Sequence, residues 1–302
     1  MENMPNDEVS INLGWAILAC GILGVGGQWL SSKLDHPALG IFSRWARWFL
    51  FTFGFSFTAV EFGWTMATGP LWNLLAISFL LWFLLESIYM WLAIRRFSMD
   101  DLPVFPKHVS LGGTREWPAQ PYFIRVREWL RETGYEQIEA TRAFLGEEDY
   151  LHTFHFENSE KTIRTQITFT QNGFNPPRAI FTLSSVTNSG KRQVTDNAFL
   201  PRAGVLPIHW RLKRMPLVRS LARLEEIHRS TMRDSGETFV AWEESPLEDA
   251  NEQQRILEKT NVEKGILFAK NIRDKKGMFT QEGCYRMWLE LWCLKYFGTT
   301  KN

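Results

Sequence analysis

The sequence predicts an α+β protein in two parts: three N-terminal transmembrane helices, then a cytoplasmic domain in which helices pack on an antiparallel β-meander of about five strands. Three observations carry that expectation. Residues 11–94 are almost continuously apolar, while most of Asp100 to Asn302 is polar and mixed. Eight of the 14 Trp fall in the first hundred residues. Beyond residue 135, short segments of alternating character follow one another with brief turns between them, which favours antiparallel pairing.

The three expected spans are 13–30, 48–64 and 71–94. Each reaches the roughly 17–25 residues that a hydrocarbon core requires. Trp15, Trp29, Trp48, Trp64, Trp72 and Trp91 lie near their ends, as an aromatic belt does. The second span contains Phe at every other position from Phe49 to Phe57. That period suits a strand, but a lone strand in lipid leaves its backbone unpaired, so a helix is expected.

Basic residues orient the spans. The first segment carries Glu2, Asp7 and Glu8 and no base; Lys33, Arg44 and Arg47 occupy the first loop; Thr65–Pro70 has none; Arg95 and Arg96 end the third span. The N-terminus is therefore expected outside and everything after residue 94 inside, at an inner or plasma membrane. No basic segment of a cleavable signal precedes the first span, so it is expected to be retained.

The stretch CGILGVGGQW, Cys20 to Trp29, invites comparison with a phosphate loop. A dinucleotide loop needs a preceding strand, a following helix and the order G-x-G-x-x-G. Here the order is G-x-x-G-x-G-G inside an apolar run. Ala16, Cys20 and Gly24 instead recur every four residues, a small-residue face for helix packing. Its expected partner is the second span, through Gly54 and Thr58, or a second copy of the chain.

The soluble part opens with a linker, 97–120, rich in Pro and Gly. A helix follows from Pro121, with Phe123, Val126, Trp129 and Leu130 as its apolar face and Gly134 as its stop. Strands are expected in 136–145, 149–156, 161–170, 178–186 and 191–197, with turns at Asn172-Gly173 and at Asn188-Ser189-Gly190. In the third, Ile163, Thr165, Ile167 and Phe169 alternate with Arg164, Gln166, Thr168 and Thr170, giving one buried face and one that is wet or covered by polar contacts. Helices are expected in 215–232, with Pro216 near the start, in 245–271, with Ser245 as N-cap, and in 280–298, with a short strand in 238–244. The last helix is aromatic over most of its circumference, and burial in the soluble domain is its default.

Candidate sites are few. Glu86 lies about 5 Å inward of the third span's centre and Glu61 about 7 Å outward of the second's, so roughly 12 Å separates their levels. With Gln28 they are the intramembrane polar residues, and such groups often mark ion pathways or assembly contacts. Arg202, Arg211, Lys213, Arg214, Arg219 and Arg223 form a basic cluster containing no acid, suited to anionic lipid or another anion. His152 and His155 fall on opposite faces of a strand, which argues against a shared metal. Glu225 and His228 have the spacing of one half of a di-iron helix pair, but the other half is missing and His228 lies on an apolar stripe. Cys284 and Cys293 point opposite ways along a helix, and free thiols suit a reducing compartment.

No catalytic or cofactor motif is present. A net charge of +1 gives no support for nucleic-acid binding. The expectation is a membrane-anchored binding, sensory or scaffolding module without a cofactor, in a homo-oligomer or with a membrane-protein partner. The alternatives are a membrane-tethered enzyme with its site in the sheet domain, and a channel-like subunit using Glu86.

Overall fold

The computed structural model describes residues 6–34, 36–64, 69–100, 105–111, 117–145, 150–170, 178–202 and 204–300. The expected turn at Asn172-Gly173, most of the Thr65–Pro70 loop and the Gly112-Gly113 pair lie outside them. The chain divides into two compact units: Met1–Phe97 with Trp288–Gly298, and Ser98–Met287 with Thr299–Asn302.

The first unit contains α1 (Asn6–Leu34), α2 (Pro37–Glu61) and α3 (Leu71–Ser98) up to Phe97. Within α1 and α3, Val9–Leu34 and Leu71–Ser98 are long and apolar enough to cross a membrane. The second expected span is not among them. Arg44 and Arg47 lie in the first half of α2, and Thr52, Gly54, Ser56 and Thr58 dilute its second half. The Phe-rich stretch is nonetheless helical, and Phe49 stacks on Phe53, and Phe51 on Phe55, along the helix surface.

α1 and α2 pack as a close pair. A Cβ on Gly24 would stand 3.4 Å from Arg47 Cγ and 3.8 Å from Ala46 Cβ, and one on Gly27 would stand 3.4 Å from Ser43 Cβ. Ser43 Oγ donates to the Gly24 carbonyl at 2.8 Å. Small residues thus bring the two backbones together. The contact on Gly24 is Ala46 and Arg47, while Gly54 has nothing within 4 Å of its Cβ position and Thr58 Oγ1 donates to the Gly54 carbonyl inside α2.

The second unit is a sheet with helices on both faces. Its described strands are β1 (His108–Ser110), β2 (Glu136–Phe144), β3 (Tyr150–Glu157), β4 (Arg164–Thr170), β5 (Arg178–Thr187), β6 (Arg192–Asp196), β7 (Trp210–Arg214) and β8 (Phe239–Val240). They run in chain order from β1 to β7, and β8 pairs β5 beyond the end of β4. The five expected strands are β2 to β6. The segment 97–120, expected as a linker, supplies β1, and the basic cluster supplies β7, which lies parallel to β6. The β3–β4 turn is held by Asn158, whose Oδ1 accepts from Ile163 N at 2.9 Å, and it puts Lys161 at φ 56.

One face buries Phe154, Phe156, Ile163, Ile167, Phe169, Phe181 and Leu183 against α4 (Pro121–Glu132) and α5 (Leu221–Ser235). α5 starts later than expected. Ser220 Oγ accepts from Arg223 N and caps it, which leaves Pro216 in the turn before. α6 (Pro246–Glu263) begins in a capping box of Ser245 and Glu248 and stops before Gly265, whose φ is +69; α7 (Lys270–Lys276) follows separately. α8 (Gln281–Trp292) continues into a π-helical turn, Cys293–Phe297, closed by Gly298 at φ 64.

Candidate functional site

The sheet face opposite the apolar core, expected to be wet or covered by polar contacts, is a buried polar layer. Arg164 alternates out of the core and is 1% exposed. Its Nη2 and Nε donate to Glu157 Oε1 at 2.6 and 2.8 Å, across the β3–β4 ladder, and its Nη1 donates to Asp249 Oδ2 at 3.2 Å. Asp249 sits in the first turn of α6, where the helix dipole favours a carboxylate. It also accepts from Arg192 and, at 2.9 Å, from Gln253 Nε2. Trp242 lies 4.3 Å from the Arg164 guanidinium and 4.9 Å from that of Arg192. Two guanidiniums and two carboxylates leave the layer neutral. Its attraction therefore offsets the cost of desolvating each ion, and no charge is left over for a ligand.

Beside this network stands a histidine chain that spacing alone did not disclose. His108 Nδ1 is 3.3 Å from Thr141 Oγ1, which is 3.0 Å from His155 Nε2. Burial, then His108 and Arg164, hold His155 down at about 3, and burial also lowers His108. His152 faces the other side of β3, opposite Phe169, so the two histidines of β3 are not brought together.

His228 is fully buried on α5, its Nε2 3.0 Å from Ser185 Oγ and its Nδ1 2.8 Å from Thr195 Oγ1. Burial, with the Arg229 charge second, lowers it to about 3. Glu225 turns elsewhere, accepting from the Tyr135 hydroxyl at 2.9 Å and from Arg229 Nε at 2.7 Å. Among the described residues, no group of three or more His, Cys, Asp and Glu could hold a metal ion.

The basic cluster is divided by the fold. Arg214 is bound bidentately to Asp196 at 2.9 and 3.1 Å, and Arg223 pairs with Glu226. Arg202 Nε donates to the Gly204 carbonyl at 3.2 Å. Arg219 precedes the cap of α5, and its carbonyl accepts from the Tyr122 hydroxyl. Arg211 and Lys213 are exposed on one face of the edge strand β7. With Gln193, Thr231, Asp234 and Ser235 they line a shallow cleft of about 280 Å³. Arg214 is thus paired by an acid 18 residues away, and Arg223 by one a single helical turn further on.

In the first unit, the π-helical turn packs on α2 and α3. Trp48, Met90, Trp292 and Tyr296 form its buried core. Trp45 Nε1 donates to the Tyr296 carbonyl at 2.8 Å, and Arg44 Nη1 to the Lys295 carbonyl at 3.1 Å. The last aromatic segment thus joins the first unit rather than the sheet domain. Its Tyr296 lies beside Glu86, and burial followed by that carboxylate raises the Tyr296 hydroxyl to about 12. Gln28 neighbours Ser43, and Glu61 is exposed at the end of α2, so the three polar residues expected within the membrane do not converge. Ala16 and Cys20 are half-buried on the face of α1 that carries Gly24. All three cysteines are free thiols. Compared with known proteins, the chain matches no family model, no curated protein and no solved structure.

Proposed function

We propose that this chain is a multi-pass membrane protein whose sheet domain acts as a binding or scaffolding module on the cytoplasmic side. One observation carries the membrane part. α1 and α3 expose large apolar side chains along their length, with Trp15 at 68%, Val25 at 75% and Leu80 at 63%. Water does not tolerate a contiguous apolar surface of that extent, whereas a bilayer does. In this reading α2 is the third span, paired with α1 through Gly24 and Gly27. Lys33, Arg44, Arg47, Arg95 and Arg96 put the sheet domain inside. The exposed Arg211 and Lys213 then offer that domain a contact for anionic lipid or an acidic partner. Glu86, next to Tyr296, serves packing of the first unit rather than ion passage.

The test is extraction and labelling. Carbonate-washed membranes should retain the chain. A membrane-impermeant thiol reagent on sealed right-side-out vesicles should label a cysteine placed at Asp7 and not one placed at Glu226. Release by carbonate would sink the membrane reading, and the reverse labelling would sink the orientation. For the binding role, proteins cross-linked through β7 in membranes should be lost in R211E/K213E; an unchanged cross-link pattern would count against it.

A further inference from the structure

Three cations meet where α2 begins and the π-helical turn lies. Arg44 donates to the Lys295 carbonyl. The charges of Arg44 and Arg47 act on each other, and both act on Lys295. Arg44 and Lys295 are half-buried, and Arg47 is exposed. One anion, Glu86, acts on Arg44 and Lys295. Among the described residues none of the three has an ion-pair partner within 4.0 Å. Three positive charges against one leave two in excess, and like charges this close, two of them half-buried, are costly unless a counter-charge joins them.

The surroundings specify the counter-charge. Trp45 packs against Phe49 and Phe297, each with ring centroids 6.1 Å away, and both phenylalanines are exposed, at 40% and 63%. A cationic group bordered by exposed aromatic rings suits a molecule with an anionic head and an apolar tail. Gly24 contributes as well, because the stem of Arg47 lies over it at the distance of a Cβ contact. A larger residue there would displace the guanidinium.

We propose that Arg44, Arg47 and Lys295 hold the phosphate of an anionic lipid headgroup, with its acyl chain along Phe49 and Phe297. Basic recesses between transmembrane helices are a recurrent form of such sites. The proposal rests on the membrane reading of the first unit. It is separate from the surface contact at Arg211 and Lys213.

The experiment uses the purified full chain in a neutral detergent, with thermal unfolding followed against added short-chain phosphatidylglycerol, phosphatidylcholine or inorganic phosphate. Phosphatidylglycerol should stabilise and phosphatidylcholine should not. R47Q/K295Q should weaken the half-saturating concentration about 25-fold, some five-fold for each base removed. The exposed Arg47→Gln alone should weaken it about five-fold and serves if the double variant does not fold. K259Q/K264Q, which removes two exposed bases of the sheet domain, should leave it unchanged. Stabilisation by inorganic phosphate that is lost in Arg47→Gln would identify a free anion as the occupant and overturn the lipid assignment. Unchanged affinity in the Arg47 and Lys295 variants, or equal stabilisation by phosphatidylcholine, would overturn the site itself. Release of the chain from carbonate-washed membranes would overturn the membrane reading and this site together, whereas a failed lipid titration on a membrane-retained chain overturns the site alone.

Discussion

Lowering the pH from 7 to 5 should destabilise the sheet domain through two histidines. His155 and His228 are completely buried and are held at about 3 in the folded chain, against an ordinary 6.5 when unfolded. Between those values the unfolded chain binds the protons and the folded chain does not, so stability falls as pH drops below 6.5 and is fully present above it. Each pH unit in that window is worth about 1.4 kcal/mol per histidine. At pH 5 the loss is therefore about 2 kcal/mol for each and about 4 kcal/mol for the pair. For a domain of this size that lowers the melting temperature by roughly 8–16 °C. Thermal unfolding of the full chain in detergent at both pH values would measure it, with H155Q/H228Q as the comparison. The double variant should lose most of the pH dependence, although its own starting stability is lower. An equal drop in the variant and the parent, or ring resonances of either histidine that titrate near pH 6.5, would refute the reasoning.

Other outcomes follow from the same contacts. Asp249→Ala leaves Arg164 with Glu157 alone and takes from Arg192 its carboxylate, and should cost about 3–5 kcal/mol in thermal or denaturant unfolding. Gly283→Ala would put a Cβ 2.3 Å from the Ile266 carbonyl oxygen and should destabilise by about 1–3 kcal/mol or more. Ser245→Ala removes half of a capping box, for a loss of about 1 kcal/mol that should be confined to α6 by hydrogen exchange. Trp292→Ala opens the aromatic core of the first unit and should cost about 3–5 kcal/mol, read as earlier melting in detergent.

What was legible in the sequence is local. Alternation identified β2 to β6, and Ser245 as an N-cap marked the start of α6, because neighbours in the chain determine both. The opposite faces of His152 and His155 followed from strand geometry alone. What escaped depends on residues far apart. β7 pairs in parallel with β6 across a long connection, so no hairpin turn announced it. The burial of Arg164 could not be read from a strand of ordinary alternation. It requires Asp249, 85 residues on, to be delivered over that face by α6. Arg214 looked unpaired for the same reason, since Asp196 lies 18 residues before it, whereas Glu226 meets Arg223 one turn along α5. One signal was available for the network, the acidic first turn of α6, which carries more charge than a cap alone requires.

The discontinuity of the first unit bears on how the chain is made. A ribosome delivers α1, α2 and α3 first, and the segment Trp288–Gly298 that completes their packing emerges only after the whole sheet domain. Until then Trp48 and Glu86 are without Trp292 and Tyr296. The nascent protein must hold an unfinished helix cluster for the time needed to translate nearly 190 residues between Ser98 and Met287, ten seconds or more at about 5–20 residues per second. On the membrane reading proposed above, insertion and final assembly are thus separated in time, and the folding of the sheet domain decides when the last contact can form. Release of a chain stopped at Met287 should yield a protein that reaches the membrane but is cleared by quality control, a defect in maturation rather than in targeting.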